Sequence, residues 1–526
     1  MSVNAPSDQA GASYGRYVPP SRPGPGAPSA RPRGRGLAAL LLTVIAAVLL
    51  SACGGDENKR AAGGSTLEAT LLDTDKDGLP EPGPGEPLLD RTDLAPKAPL
   101  RQEIARIGVL NDPQIRDEES PARVPFLDRL GAPFTSTFRP HEALSTRILA
   151  AGVDAIAAQE PEAVVLPGDL ADNAQRNELE WAAAILNGER VDPDSGDPGY
   201  DGVQRADNPD PFYYRPGVDA PQQPGLLSDA QQPFTPRGLG VPWFPVLGNH
   251  DVLVQGEVAP TPDLEAVATG DEAVERLDQE RLERLDTPPD SGLAPQLVQD
   301  LLAGGRLPGE TRAVPADPAR TLVDPQGATD LLRDAAAASG AELRDRTGAP
   351  DRLDYTADLG PRVRLISLDL VNRQGVSRGV VAPDLRAWLA EQLEAAGDRW
   401  VIVSTHQPLD SSVGGPQTLA LLDAHPRMLA VVHGHTHFNE VTPRDDYWVL
   451  STASLTDWPL QGRMLAVAET EGGGAAIETW VVDIQGEGLA GRGRELAHLD
   501  AQGGRPDGER GEREDRNVRL FVPPPS

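Results

Sequence analysis

The sequence predicts an α/β fold in which strands and helices form separate layers. Apolar runs without alternation, which are typical of strands covered on both faces, recur along the chain, and helical patterns lie between several of them. Five of these runs are followed by a short polar stretch that includes Asp, Asn or His. The five segments are IARIGVLND, AVVLPGDLADN, VPWFPVLGNHD, WVIVSTHQP and MLAVVHGHTH. Ligands in layered α/β folds bind beyond the carboxyl ends of the strands, so we expect a functional site where these five runs end.

The first 52 residues have the composition of a targeting segment. A stretch rich in Arg, Pro and Gly precedes a continuous apolar run over residues 37–50, which is shorter than the ~20 residues that span a bilayer. The run leads into Leu-Ser-Ala-Cys, which resembles the lipobox of bacterial lipoproteins, and Cys53 is the only cysteine. We therefore expect a lipoprotein signal over residues 1–52, a lipidated Cys53, and an extracytoplasmic protein anchored to the cell membrane. The alternative, an uncleaved helical anchor over residues 36–52, places the domain on the same side.

The composition is that of an acidic globular protein. Hydrophobic residues make up 39% of the chain, which suffices for a sizeable core. The formal net charge of −32 opposes association with phosphate backbones, so we expect no nucleic-acid partner. Nothing in the composition indicates the oligomeric state.

The polar and Pro/Gly-rich stretches divide the chain into four regions. After the signal segment we expect a linker over residues 53–103 and one catalytic domain over residues 104–484. Two stretches interrupt the domain pattern as loop-rich insertions, at about 187–240 and about 252–350. Residues 485–526 are polar and charged, which predicts a disordered tail.

Two acidic stretches have a local pattern of their own. Asp73, Asp75 and Asp77 are spaced like the opening of a calcium loop, although the twelfth position is Pro84 where a bidentate Glu is needed. Both a calcium site and a plain acidic turn remain open. Residues 271–285 predict a helix with a charged, solvated face.

The residues at the five strand ends form a ligand set for two divalent metals. Two metals about 3.5–4 Å apart need a bridging carboxylate, and Asp169 in its GDLAD turn is the best candidate. Imidazoles and neutral oxygen donors fill the other positions without overcharging the cluster. The first metal would take Asp112, Gln114 and His437, and the second would take Asn249, His406 and His435.

The ordered blocks NDPQ, GDLAD, GNHD, STHQ and GHTH resemble the motifs of the calcineurin-like metallophosphoesterase superfamily over residues 104–484. Segments such as SPARVPFLDR and NAQRNELEW are similar to those of a poorly characterised bacterial branch with long inserts. The resemblance implies a four-layer αββα sandwich with loop-rich insertions. Gln114 departs from the pattern, which usually has His there. An amide oxygen is a harder and weaker donor, which favours Mn or Fe over Zn, and the metal identity stays open among the three.

The resemblance also implies roles for residues outside the ligand set. It implies hydrolysis of a phosphoester bond by a metal-bridging hydroxide, with His250 protonating or stabilising the leaving oxygen. Asp172 would orient His250. Three further residues are candidates for substrate contact: Arg176, Trp458 and Arg463. His141 and His425 are expected to face solvent.

Three functional hypotheses remain open from the sequence. The first is a membrane-anchored phosphoesterase, either a phosphatase or a phosphodiesterase. The second is a pyrophosphate hydrolase acting on lipid-linked or nucleotide-linked substrates. The third is a lipid-anchored binding protein without turnover, against which all ligand positions hold competent donors.

Overall fold

The computed structural model describes residues 63–130, 137–276, 310–484, 488–504 and 510–525. The predicted signal segment, Cys53 and residues 277–285 of the predicted acidic helix lie outside these ranges. Within the described ranges, no helix combines the length and the apolar composition needed to cross a membrane.

The described residues contain eighteen strands. In chain order they are β1 Ala69–Leu72, β2 Glu81–Pro84, β3 Leu89–Arg91, β4 Leu100–Val109, β5 Ala163–Leu166, β6 Trp243–Pro245, β7 Glu272–Arg276, β8 Glu310–Ala313, β9 Arg344–Asp345, β10 Tyr355–Asp358, β11 Val363–Leu368, β12 Trp400–Thr405, β13 Met428–His433, β14 Glu440–Arg444, β15 Tyr447–Ser451, β16 Gln461–Thr470, β17 Ala475–Asp483 and β18 Val518–Val522.

The described part of the chain also contains eight α-helices and four short 3₁₀ helices. The α-helices are α1 Ser145–Ala157, α2 Arg176–Asn187, α3 Leu226–Ala230, α4 Pro262–Ala268, α5 Pro325–Ala338, α6 Pro383–Ala396, α7 Gly415–Asp423 and α8 Leu489–Gly503. The 3₁₀ helices are Pro125–Leu130, Glu142–Leu144, Pro318–Arg320 and Arg513–Asp515.

Two seven-stranded mixed sheets form the centre of the fold. Sheet one has the strand order β3-β18-β17-β16-β4-β5-β6, and sheet two has the order β14-β15-β13-β12-β11-β10-β9. Strands β4, β5 and β6 pair in parallel in sheet one, and β11, β12, β13 and β15 do so in sheet two. The carboxyl ends of each parallel set therefore lie at one edge of its sheet, where the polar blocks follow.

The packing of single strands shows the layers. In β12, Ile402 belongs to the core cluster between the sheets, whereas Val401 and Val403 pack with Leu385 of α6 and Leu419 of α7. Helix α1 packs against β16 and β17 of sheet one. The order is therefore helices, sheet one, sheet two, helices, which confirms the predicted α/β class and four-layer sandwich.

The regions that flank the predicted domain differ from the expectation. The predicted disordered tail instead contains α8 and β18, and β18 pairs with β17 inside sheet one. Phe521 of β18 is buried, as are its apolar neighbours in that strand. Within the predicted linker, β3 extends sheet one, and β4 already begins at Leu100. The polar composition of these regions predicted a linker and a disordered tail wrongly, because short strands need only a few apolar residues on one face.

The insertions contribute local structure near the strand ends. Residues 271–276, expected to be helical, include strand β7, which pairs antiparallel with β8. This part of the helix prediction is wrong, since pairing with a partner strand overrides a local helical pattern. A small apolar cluster joins Val124 and Leu127 to Val254, Leu264 and other residues of the second insertion.

Candidate metal centre

The predicted ligands are held in an uncommon backbone conformation. Five of the seven have positive φ angles: Asp112 at 44°, Gln114 at 40°, Asp169 at 52°, His435 at 71° and His437 at 60°. Residues other than glycine seldom adopt this left-handed region, and such residues cluster at functional sites. The tight turns after the strands therefore impose strain while they direct these side chains towards one another.

The second half of the centre comprises Asn249, His406 and His435. Nε2 of His406 lies 2.9 Å from Oδ1 of Asn249 and 3.2 Å from Oδ2 of Asp169. Nδ1 of His406 donates to the main-chain carbonyl of Pro167 at 2.7 Å, which leaves Nε2 free to bind a metal. One ligand atom from each of Asp169, His406 and His435 lies within 4.8 Å of the others.

The first half of the centre is more widely spaced. Nε2 of His437 lies 3.7 Å from Oδ1 of Asp112. Nδ1 of His437 donates to Oδ2 of Asp457 at 2.7 Å, which orients the other ring nitrogen towards Asp112. The amide group of Gln114 places Nε2 3.5 Å from Oδ2 of Asp169, while its Oε1 accepts a hydrogen bond from Arg116.

Glycine allows the two sheet edges to approach at the centre. Gly168 has a φ of 101°, and a Cβ atom there would lie 2.6 Å from Nδ1 of His406. A Cβ at Gly434 would collide with Asn111 and would lie 2.8 Å from Oδ2 of Asp112. The absence of side chains at these positions is therefore required for the imidazoles and carboxylates to meet. This set of buried imidazoles, carboxylates and amides fits two divalent metal ions.

Charge is distributed unevenly among the histidines. Burial lowers the pKa of His406, but the carboxylates of Asp169 and Asp112 raise it to about 9. Burial likewise lowers the pKa of His437, whereas Asp112 and Asp457 raise it to about 10. Burial, reinforced by His406, lowers the pKa of His435 to about 3. A divalent cation that binds these imidazoles must therefore displace protons from two of them.

His250 lies beside the ligands and is fixed through its ring and its backbone. Its main-chain N–H donates to Oδ1 of Asp169 at 2.8 Å. Its Nδ1 donates to the main-chain carbonyl of Asp172 at 2.7 Å, whereas the Asp172 carboxylate is 3.6 Å away. Asp172 thus contacts His250 mainly through its backbone. The His250 side chain keeps 13% exposure, and because Nδ1 is engaged, Nε2 is the ring nitrogen left for another partner.

A layer of buried ion pairs behind the centre has no counterpart in the sequence analysis. The guanidinium of Arg116 lies 3.2 Å from Oδ1 of Asp172. Arg123 forms two hydrogen bonds with Glu142, at 2.8 and 2.9 Å. Burial raises the pKa of Asp172, but Arg116, His250 and Arg123 lower it below its ordinary value. Arg123 lies in the SPARVPFLDR segment and Arg116 lies just before it. Neither residue belongs to a metal-ligand motif.

A second buried pair supports the first half of the centre. Arg139 contacts both carboxylate oxygens of Asp457, at 2.5 and 2.7 Å, and Asp457 in turn accepts from His437. Burial raises the pKa of Asp457, whereas Arg139 and His437 lower it well below its ordinary value. Asp457 lies in the segment LTDWPLQGR. From that segment the sequence predicts Trp458 and Arg463 as substrate candidates, and Asp457 is not among those candidates.

One predicted substrate residue borders an open cavity. Trp458 and Phe438 line a cavity of about 600 Å³, and they directly follow Asp457 and His437 in the chain. The Trp458 ring also packs 4.5 Å from the ring of His498 in α8. Trp458 therefore remains a candidate for contact with the organic part of a substrate.

The guanidinium groups of the other two predicted substrate residues contact other groups of the protein. Arg463 is fully buried in β16 and donates to Thr479 and to the main-chain carbonyl of Asp515, among other groups. The expectation that Arg463 lines the pocket is wrong, because its guanidinium donates within the protein interior. Arg176 begins α2, where its half-exposed side chain pairs with Glu180 one turn later at 3.0 Å.

Two further expectations concern groups outside the centre. His141, expected to face solvent, is 3% exposed and its Nε2 lies 2.8 Å from the main-chain oxygen of Thr456. His425 is half-buried and contacts the main-chain oxygen of Leu393. In the acidic stretch, the Asp73 carboxylate accepts from the main-chain N–H groups of Asp77 and Gly78. These bonds close an acidic turn, and calcium binding there stays an open prediction.

Comparison with known proteins gives one family and several solved structures. Residues 105–439 match the family described as Calcineurin-like phosphoesterase. A dimetal phosphatase from Danio rerio shares 12% identity, with 73% of this chain and 100% of that chain covered and a TM-score of 0.36. No curated protein matches the chain.

Two other solved structures are similar to parts of the chain. A purple acid phosphatase from yellow lupin seeds shares 9% identity, with 81% of this chain and 55% of that chain covered and a TM-score of 0.31. A putative 5'-nucleotidase from Staphylococcus aureus shares 12% identity, with 75% and 58% covered and a TM-score of 0.27.

Proposed function

The chain belongs to the calcineurin-like phosphoesterase family, and from this premise we propose that it hydrolyses a phosphoester bond at the centre described above, outside the cytoplasm and anchored to the membrane. The observation that carries the reaction is that the strand ends of two sheets bring buried carboxylates, amides and imidazoles together beside one partly exposed histidine. Metal-dependent phosphoester hydrolysis is the activity that this family and this donor set support.

The reaction depends on charge neutralisation more than on covalent chemistry. Two divalent cations, when bound, supply positive charge for the phosphate oxygens and lower the pKa of a bound water. Asp169 lies between the two halves and its Oδ1 also accepts the N–H of His250, so a single carboxylate fixes both the ligands and the neighbouring acid. The protein therefore contributes a rigid set of positions that needs little reorganisation during the reaction.

His250 is the residue of the chain that would handle the proton. Its Nδ1 is engaged by the Asp172 carbonyl, so Nε2 is the nitrogen that would serve the leaving oxygen. A proton held on Nε2 can pass to that oxygen as the ester bond breaks. Gly256 lies against this ring, since a Cβ there would collide with Cδ2 and Nε2 of His250, so the position of the imidazole requires a residue without a side chain.

The location outside the cytoplasm rests on the N-terminal segment. The apolar run, the Leu-Ser-Ala-Cys sequence and the single cysteine support lipidation of Cys53. If the anchor is the lipid, Cys53→Ala should move the protein from the membrane fraction to the soluble fraction, or stop it before processing. A Cys53→Ala protein that is processed normally and stays in the membrane fraction would contradict this anchor.

The reaction is tested with the full chain dispersed in detergent and supplied with Mn²⁺. We expect hydrolysis of an aryl phosphomonoester or of its bis-aryl diester, and loss of that hydrolysis in Asp169→Asn. The preferred ester distinguishes a phosphatase from a phosphodiesterase. Turnover restricted to lipid-linked or nucleotide-linked pyrophosphates would favour the pyrophosphate hydrolase instead. Two bound Mn²⁺ ions with no turnover on any of these substrates would favour a binding protein and overturn the proposal.

A further inference from the structure

Gln114 occupies the position where the family pattern has a histidine, and a buried arginine controls its orientation. Nη2 of Arg116 donates to Oε1 of Gln114 at 2.9 Å, and the Arg116 side chain is only 1% exposed. The same guanidinium lies 3.2 Å from Oδ1 of Asp172. Arg116 is therefore held between the glutamine and a carboxylate.

The chemistry of arginine determines which end of the amide faces it. A guanidinium has five N–H donors and no acceptor, so the atom of Gln114 beside it must be the carbonyl oxygen. The amide nitrogen then faces Oδ2 of Asp169, at 3.5 Å. An amide N–H group is a donor and offers no lone pair to a cation, so Gln114 presents a hydrogen-bond donor to the centre.

We propose that Arg116 is a positioning residue that withholds the Gln114 oxygen from the first metal position and so makes the two metal positions unequal. The inference rests on the proposed dinuclear centre. The first position then depends on Asp112, Asp169 and His437, whereas the second has Asp169, Asn249, His406 and His435. The Arg116 guanidinium, which contacts Gln114 of the first half, also adds a fixed positive charge there, which opposes a second cation.

The arrangement around Arg116 makes this orientation stable. Asp172, its partner, is 2% exposed, and Arg123 lies 3.7 Å from the other carboxylate oxygen. If Arg116 left Gln114, it would have to break a buried ion pair or leave a buried donor unsatisfied, and both are costly. The Gln114 oxygen is therefore not freed by a simple side-chain rotation.

The test is a Mn²⁺ titration of the full chain, stripped of metal and followed by equilibrium dialysis with elemental analysis. We expect two sites whose affinities differ at least tenfold. In Gln114→Leu the weaker affinity should stay within about threefold of the parent, because no ligand is lost. In Arg116→Met it should rise at least tenfold, because the amide oxygen is released and the charge removed. Arg123→Met is the matched control: it removes a second buried arginine beside Asp172 and should leave the weaker affinity unchanged.

Several outcomes would overturn the inference. Two equal sites in the parent protein would remove the proposed inequality, and a tenfold loss at the weaker site in Gln114→Leu would show that Gln114 is an ordinary ligand. The thermal transition of each variant establishes that it is folded, and Gln114→Leu tests the inference even if Arg116→Met does not fold. If the parent binds no Mn²⁺, the dinuclear centre itself fails. Equal sites with intact hydrolysis would leave the proposed function standing and remove only the role of Arg116.

Discussion

The two halves of the metal centre are built in different ways. In the second half, His406 is oriented by a main-chain carbonyl, that of Pro167, and lies 2.9 Å from Asn249. In the first half, His437 is oriented by the side chain of Asp457, which depends on Arg139, a residue 318 positions away in the chain. A half fixed by backbone is specified by its own strand ends. A half fixed by distant side chains depends on partners that no motif identifies.

Asp169 is the residue that both halves share, so its loss should have the largest effect. In Asp169→Asn the bridging charge and the acceptor for His250 are both weakened, and metal charge stabilisation is worth several kcal/mol. We expect hydrolysis to fall at least about 10³-fold, with less than two Mn²⁺ bound per chain. Initial rates and metal content measured on the same samples check this. Asp358→Asn, at a carboxylate that pairs with three arginines outside the centre, should retain the parent rate.

His250 separates catalysis from metal binding, because it lies beside the ligands without belonging to either half. His250→Gln should lower the hydrolysis rate by about 10²–10⁴-fold, the usual contribution of a general acid, while both metals stay bound. The matched control is His425→Gln, since His425 also contacts a main-chain carbonyl, 3.0 Å away, but outside the centre. An unchanged rate in His250→Gln would remove this residue from the proton transfer.

Asp457 should affect only the first half. Outer carboxylates that orient a ligating histidine typically contribute 10–100-fold to metal affinity, so Asp457→Asn should weaken the first position by about that factor. The second position should keep its affinity, because His406 is oriented by backbone. Asp423→Asn removes a similar two-bond contact with an arginine, Arg444, outside the centre, and serves as the control in the same titration. Equal weakening of both positions would contradict independent halves.

His141 lies beside the segment that carries Asp457, because its Nε2 is 2.8 Å from the main-chain oxygen of Thr456. Its burial makes the free energy of unfolding depend on pH. Burial lowers the pKa of His141 to about 3, so below pH ~6.5 the unfolded chain binds a proton that the folded chain does not. Its contribution to the free energy of unfolding is therefore complete above pH ~6.5 and is lost as the pH falls towards 3. Between pH 7.5 and 5 the parent should lose about 2 kcal/mol more stability than His141→Gln. Urea unfolding at both pH values measures this, and identical losses would show that His141 is protonated without cost.

The predictability of the centre follows the same division. Asp169, Asn249 and His406 follow apolar strands directly, so strand ends and residue chemistry sufficed to propose them and the α/β class. The long-range partners required coordinates: Asp457 was passed over in favour of Arg463, although Arg463 is a buried structural residue. Single-sequence patterns describe local periodicity and carry no record of which distant side chain meets which ligand.

The prediction that residues 485–526 form a disordered tail was wrong for a related physical reason. Strand β18 adds Val518–Val522 to the edge of β17, and its stability comes from pairing across the sheet and from burial of a few apolar side chains. The surrounding residues are mostly charged, so the composition of residues 485–526 resembled disorder. Composition averages over such short, partner-dependent strands and conceals them.

The most direct measurement is the hydrolysis rate of the full chain as a function of Mn²⁺ equivalents bound, with rate and bound metal determined on the same samples. An unequal dinuclear centre predicts a rate near the baseline through the first equivalent and a steep rise as the second binds, with no rise in Asp169→Asn. A rate that rises from the first addition and saturates at one equivalent per chain would contradict a catalytic centre that requires both halves.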